Sequence, residues 1–102
     1  MFLFKKTPSI SAMELENLLT QPIELIDVRS PMEFQQGHIA KAKNVPLDRI
    51  QQYKAKKDKV YVICQSGARS KRAAQALIDQ GIDAVNIQGG MMMWPGKVKV
   101  GK

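Results

Sequence analysis

Short, mostly apolar runs separated by polar segments predict the strands of this chain. The runs at 23–28, 60–63 and 84–87 have strand length, and polar residues are sparse within them. Such runs are typical of strands that are buried on both faces of a sheet. A shorter extended piece is expected at 45–47.

Helix start and stop signals lie between these runs. A capping-box sequence at Ser11 opens a helix that closes before Pro22, and a second one at Ser30 opens a short helix that ends at Gly37. Apolar residues at helical spacing predict a longer helix over 70–80. Shorter helical pieces are expected through about Tyr53 and at 91–94.

Strands that alternate with helices indicate an α/β fold with a largely parallel sheet. Ligands of such sheets bind beyond the carboxyl ends of the strands. Cys64 lies at one such end, and Asp27 and Arg29 lie at another. We therefore expect these three residues to converge. The length of 102 residues predicts one domain, 1–102.

Cys64 is the only cysteine, and a short polar loop follows it before the helix at 70–80. Gly67 gives this loop the freedom to curl, so that several amide N–H groups can face one point. Two or three such hydrogen bonds would bring a thiol pKa from ~8.5 into the ~3.5–7.5 range of activated cysteines. The loop therefore predicts a thiolate nucleophile that needs no histidine base.

Three cations, Arg69, Lys71 and Arg72, surround the start of the helix that follows the loop. Cations near a helix N-terminus oppose the macrodipole and cost ~0.3–1 kcal/mol each. This placement favours an arriving anion, most clearly for Arg69. For Lys71 and Arg72 the alternative is that both side chains point into water, where salt screens most of that cost.

Composition narrows the possible partners. The net charge of +7 would attract anions, but many of the lysines lie at 54–59 and 97–102, which are typical of a solvated surface. Aromatic residues are few and no nucleic-acid motif is present, so we expect no nucleic-acid partner. One cysteine and one histidine build neither a disulfide nor a zinc site, so no metal is expected.

The apolar segments of the chain indicate its cellular location. No apolar run approaches membrane-spanning length. The start, 1–6, places its charge after its apolar residues, which is the reverse of a secretory signal. We therefore expect a cytoplasmic protein without a membrane partner.

Three groups of residues, in order along the chain, resemble the signature regions of the rhodanese family. They are Asp27-Val28-Arg29, Glu33-Phe34, Gly37-His38-Ile39, Ala42, Asn44 and Pro46; then Cys64-Gln65-Ser66-Gly67-Ala68-Arg69-Ser70; then Gly89-Gly90 and Trp94. The resemblance covers about 9–95 and leaves a short basic tail at 97–102. It implies a five-stranded, mostly parallel sheet flanked by helices.

The resemblance also implies a sulfurtransferase. Cys64 would attack the outer sulfur of thiosulfate or a similar donor, release sulfite, and hold the sulfur as a persulfide. Backbone amides of the substrate-binding loop, Gln65 to Ser70, would stabilise the outer sulfur. A small thiol, a sulfur-acceptor protein or, in an assay, cyanide would then take it. No metal or organic cofactor is implied.

Two other functions stay open. Phosphatases and arsenate reductases that share this fold carry five residues between cysteine and arginine, whereas here Gln65, Ser66, Gly67 and Ala68 make four. The shorter loop forms a tighter cup and favours a single sulfur over a tetrahedral oxyanion. The third possibility is a non-catalytic interaction module, although such a module needs neither the cysteine nor the arginine.

The remaining signature residues are expected to support the site. Asp27 or Glu33 would pair with Arg69 or Arg29 and hold the loop in shape, and His38 would be a hydrogen-bonded structural residue. For 91–94, core packing, lid packing and the rim of a substrate pocket remain alternatives. The sequence also leaves open whether Arg69 contacts the anion or braces the loop.

Overall fold

A computed structural model, which describes residues 7–102, contains a five-stranded sheet with helices on both faces. The strands are β1 (Ser9–Ser11), β2 (Glu24–Asp27), β3 (Lys43–Asn44), β4 (Lys59–Ile63) and β5 (Asp83–Gln88). The helices are α1 (Ala12–Leu18), α2 (Pro31–Gln36) and α3 (Ala68–Asp79). Two 3₁₀ helices, Leu47–Gln52 and Gly90–Met93, complete the fold.

The strand order is β1-β5-β4-β2-β3, and all pairings between neighbours are parallel. The predicted α/β class and parallel sheet are therefore confirmed. Both capping boxes also form: Ser11 with Glu14 opens α1, and Ser30 with Glu33 opens α2. These boxes fix where the chain turns from a strand into a helix.

The structure differs from the sequence pattern at three elements. The pattern contains no signal for β1, an edge strand of three residues. The third strand lies at 43–44, two residues before the expected piece at 45–47, which still donates backbone hydrogen bonds to the end of β2. The predicted start of α3 at Ser70 is wrong, because the helix begins at Ala68 after a left-handed Gly67.

Alternate residues of β4 serve two cores. Val60 and Val62 pack with α3 and the first 3₁₀ helix, whereas Ile63 packs with α1, α2 and the second 3₁₀ helix. This period of two leaves β4 buried on both faces, as its apolar sequence predicts. The next residue of the α3-facing set after Val62 is Cys64.

The expectations about membrane spans, location and domain organisation are compared with the structure in turn. Among residues 7–102, none of the helices combines the length and the apolar character that crossing a bilayer requires. The segment 1–6, which entered the expectation of a cytoplasmic location, lies outside the described residues. The single-domain organisation of 1–102 stays a prediction. The tail at 97–102 is tied to the fold, because His38 and Lys99 exchange backbone hydrogen bonds of 2.9 and 2.7 Å.

Candidate active site

Cys64 follows directly after β4, and its side chain points toward the face of the sheet that α3 covers. The residue is completely buried, with 0% exposure. Its sulfur is nevertheless not surrounded by apolar atoms alone, since the Gly67 N–H donates a hydrogen bond to Cys64 Sγ over 3.1 Å. Its thiol therefore lies between an apolar core and a turn of polar backbone.

The N-terminus of α3 supplies further donors beside this sulfur. The first hydrogen bond of the helix runs from the Lys71 N–H to Gly67 O, at 3.1 Å. The amides of Ala68, Arg69 and Ser70 consequently have no acceptor within the helix. Because α3 begins two residues earlier than its sequence pattern indicates, the second half of the loop is helical. These amides therefore lie at the positive end of the α3 dipole.

The second 3₁₀ helix controls which way the peptide groups of the loop face. Met91 N–H donates to Cys64 O at 2.8 Å, and Met92 N–H donates to Gln65 O at 3.0 Å. With these two carbonyls held on the 3₁₀-helix side, the amides that follow them are free to turn toward the sulfur. Only glycine fits at 90, because a Cβ there would lie 2.3 Å from Cys64 O.

Opposing effects set the acidity of this sulfur. Burial raises the pKa of the Cys64 thiol, whereas hydrogen bonds from the Ser70 hydroxyl and amide, and from the amides of Gly67 and Ser66, lower it. The net result is a pKa below the ordinary value for cysteine. This direction favours the thiolate, which is the nucleophilic form.

The Ser70 hydroxyl is shared. Its single hydrogen is directed at Asn86 Oδ1 over 2.5 Å, so the carboxamide and the sulfur compete for it. The backbone amides carry no such competition. We therefore assign the lowered thiol pKa mainly to the main chain, with Ser70 and Asn86 as a buried polar pair that holds α3 to β5.

Arg69 braces the loop in this structure. Its two terminal nitrogens each donate to one carboxylate oxygen of Glu33 at 2.8 Å. This bidentate bond is the main reason that the pKa of the Glu33 carboxyl falls to about 2, although desolvation opposes it. Glu33 also accepts from Ser30 in the capping box of α2, so the pair links α2 to the cysteine loop.

Asp27 and Arg29 form the second ion pair of the site. The Arg29 Nη2 lies 2.8 Å from Asp27 Oδ2, and both side chains are buried. Arg29 also donates to Gly37 O at 2.8 Å and, over a longer 3.4 Å, to the Gln65 side chain. The geometry makes this pair a link between β2, the end of α2 and the loop.

His38 is not among the groups that donate hydrogen bonds to the Cys64 sulfur. Its Nδ1 is 2.7 Å from Phe34 O, its ring stacks on Phe34, and the residue is 2% exposed. A hydrogen bond to a carbonyl requires the hydrogen on Nδ1. The histidine therefore secures the end of α2, and the structure does not bring it to the reacting atom.

The residues at 91–94 divide between two roles. Met91 and Trp94 pack partly against the core of α1 and α2, whereas Met92 and Met93 are 67% and 66% exposed. Sequence reasoning missed the donors that Met91 and Met92 supply from their backbone, and it missed Asn86. A polar residue inside the apolar run 84–87 was the available signal for Asn86.

The fold and the site define a class: α/β proteins with a parallel sheet, in which amides of a loop and a helix N-terminus surround a buried cysteine. Comparison with known sequences identifies the family within this class. The family model of the rhodanese-like domain matches residues 11–97. The chain belongs to the rhodanese-like domain family.

Relatives and solved structures agree with this assignment. YqhL of Bacillus subtilis (strain 168) is 47% identical over 83 residues, which cover 78% of this chain and 66% of that protein. Thiosulfate sulfurtransferase GlpE of Coxiella burnetii (strain RSA 331 / Henzerling II) is 32% identical, covering 90% of this chain and 88% of GlpE. The crystal structure of a rhodanese-like domain protein from Staphylococcus aureus has a TM-score of 0.82 at 34% identity, covering 94% of this chain and all of that one.

Proposed function

We propose that this protein is a sulfurtransferase that carries sulfane sulfur as a persulfide on Cys64. The observation that carries the proposal is the Gly67 N–H donating to Cys64 Sγ over 3.1 Å at the N-terminus of α3. The match to a family whose relatives include a protein named as a thiosulfate sulfurtransferase supports the same reaction class.

In the first half-reaction, the Cys64 thiolate attacks the outer sulfur of thiosulfate. A new S–S bond forms to Sγ as the S–S bond of thiosulfate breaks, and sulfite leaves with the electron pair of that bond. The product is Cys64–S–S⁻, and neither a proton nor an external electron is required. Amides of the loop, Gln65 to Ser70, stabilise the negative outer sulfur as an oxyanion hole stabilises an oxygen.

In the second half-reaction, the thiolate of an acceptor attacks this outer sulfur. The acceptor becomes a persulfide, and the Cys64 thiolate is regenerated. Because Sγ itself is buried, the acceptor meets the outer sulfur, which a disulfide-type bond places about 2 Å beyond Sγ. This chemistry draws only on the donor, the acceptor and the chain, so it uses no metal or organic cofactor.

The arginine argues against oxyanion chemistry at the same loop. In a phosphatase or an arsenate reductase, an arginine at this place would have to neutralise the substrate anion. Here both terminal nitrogens of Arg69 are already bonded to Glu33 at 2.8 Å. The four-residue spacing between Cys64 and Arg69 points in the same direction.

Intact-mass spectrometry after incubation with thiosulfate tests the proposal. We expect the protein to gain the mass of one sulfur atom and to lose it when cyanide or a thiol is added. Cys64→Ser, which keeps the size of the side chain but removes the sulfur, should show no gain. A wild-type protein that gains no sulfur from thiosulfate or from any other sulfane donor would overturn the proposal.

The same samples distinguish the two other functions. Cys64-dependent hydrolysis of a phosphotyrosine mimic, or Cys64-dependent reduction of arsenate with an added thiol, would support an oxyanion enzyme. Absence of all three activities, together with a Cys64 thiol of ordinary acidity, would support a non-catalytic interaction module.

We propose a cytoplasmic setting with a small anionic donor and with a small thiol or protein as the acceptor.

A further inference from the structure

A cleft of about 770 Å³ opens beside the cysteine loop, between α3 and the edge strand β1. Two residues of the loop, Ser66 and Gly67, form one wall of this cleft. Since the Gly67 amide donates to Cys64 Sγ, the cleft adjoins the backbone that holds the sulfur. It is therefore placed to contact a molecule whose reacting atom lies at Cys64.

Two cations line this cleft, Lys71 and Arg72 of α3. Within residues 7–102 the ion pairs are Arg29 with Asp27 and Arg69 with Glu33. Neither Lys71 nor Arg72 thus has a carboxylate partner there. Because α3 begins at Ala68, Lys71 and Arg72 are its fourth and fifth residues, and the positive end of the helix dipole beside them favours an anion.

Asn86 adds an independent observation. It lines the cleft although only 6% of the residue is exposed. Its Oδ1 accepts the hydrogen bond from Ser70, while no group among the described residues accepts a hydrogen bond from its amide nitrogen. A nearly buried carboxamide that lines the same cleft as the two cations therefore has an N–H donor with no acceptor among the described residues.

We propose that this cleft binds the anionic groups of the thiol that accepts sulfur from Cys64. The acceptor is then an organic thiol that carries carboxylates or phosphates, and Lys71, Arg72 and the Asn86 amide are its ligands. This inference rests on the proposed sulfur transfer, but it assigns a substrate class and a binding site that the transfer itself does not require.

Three capped peptides test the acceptor class: acetyl-Glu-Cys-Glu-amide, acetyl-Gln-Cys-Gln-amide, and the analogue with phosphoserine in place of glutamate. With persulfide-loaded protein, we expect kcat/KM for the acidic peptides to exceed that of the glutamine peptide about tenfold, which two surface ion pairs can supply. The preference should shrink in high salt. The glutamate and phosphoserine arms show which anion the cleft prefers.

The double variant Lys71→Gln/Arg72→Gln should abolish this preference. Lys56→Gln/Lys57→Gln is the matched control, because it removes the same charge just before β4, at the opposite end of that strand from Cys64. The control should keep the preference. Equal rates for acidic and neutral peptides in the wild type, or an equal loss in both double variants, would overturn the proposal.

Binding without transfer separates this inference from the proposed function. The S-methylated forms of the three peptides cannot accept sulfur, so calorimetry reports the cleft alone. If no persulfide forms but the acidic S-methyl peptides bind about tenfold more tightly than the neutral one, sulfur transfer fails and the anion site stands. If persulfide forms but all S-methyl peptides bind alike, the anion site fails and sulfur transfer stands.

Discussion

Gly90 is the position at which a single added carbon tests the architecture of the cysteine loop. A Cβ at this residue would lie 2.3 Å from Cys64 O and 2.8 Å from Gln65 O. These are the carbonyls that Met91 and Met92 hold on the 3₁₀-helix side of the loop. Gly90→Ala must therefore displace both carbonyls and, with them, the amides that face the sulfur.

A second glycine provides the reference for the energy. Gly81 also has a positive φ, +88°, but a Cβ there would have nothing within 4 Å. Gly81→Ala should cost only the left-handed strain, about 1–2 kcal/mol. Gly90→Ala, at φ +54°, adds about 1–3 kcal/mol of overpacking. Since a domain of this size is stable by about 5–15 kcal/mol, both variants should fold.

Two measurements are needed for each variant: the free energy of unfolding by denaturant, and the thiolate absorbance against pH. We expect Gly90→Ala to be the less stable variant and to raise the pKa of the Cys64 thiol, because burial persists while the amide hydrogen bonds weaken. Gly81→Ala should leave that pKa unchanged. If the two alanine variants lose equal stability and titrate alike, the carbonyl-anchoring argument is wrong.

Three further predictions concern the polar groups around the loop. Lowering the Glu33 pKa from 4.5 to about 2 corresponds to about 3 kcal/mol, and solvent screening at side chains that are about a third exposed reduces this to about 1 kcal/mol. Glu33→Gln should therefore lower the free energy of unfolding by about 1 kcal/mol above pH 4.5. Measured by urea unfolding, the difference in stability from the wild type should disappear as the pH falls to about 2. Asp27→Asn leaves Arg29 buried without its carboxylate and should lower the free energy of unfolding by about 3–5 kcal/mol, so a loss within error of zero would contradict the pairing. Ser70→Ala removes one donor to the sulfur and should raise the thiol pKa in the absorbance titration; an unchanged pKa would show that the hydroxyl serves only its partner on β5.

The sequence predicted those parts of the fold that are encoded locally. Both capping boxes, at Ser11 and Ser30, need only four consecutive residues, and they form where expected. The predicted start of α3 at Ser70 is wrong because the N-cap is a glycine without a side-chain hydrogen bond, which leaves no capping signal in the sequence. The strand β1 has no pattern of its own, since it exists by pairing with β5.

The site shows the same division between local and distant information. Strand ends placed Cys64 near Asp27 and Arg29, because parallel strands end at one edge of a sheet. The sequence left open which carboxylate pairs with which arginine. That choice is made between residues far apart in the sequence, 36 positions for Arg69 and Glu33. The orientation of the loop carbonyls likewise depends on a 3₁₀ helix that follows a different strand.

Under the proposed function, the groups that act on the sulfur are separate from the groups that would choose the acceptor. Main-chain groups supply the firm donors to Cys64 Sγ, and main-chain amides of Met91 and Met92 hold the loop carbonyls. Substitution of most loop side chains should therefore change acceptor preference more than thiol acidity. The exceptions in the loop are Ser70, whose hydroxyl also lowers the thiol pKa, and Gly67, whose left-handed backbone would be strained by a Cβ. Outside the loop, Gly90 is a further exception, because a Cβ there would collide with the loop carbonyls.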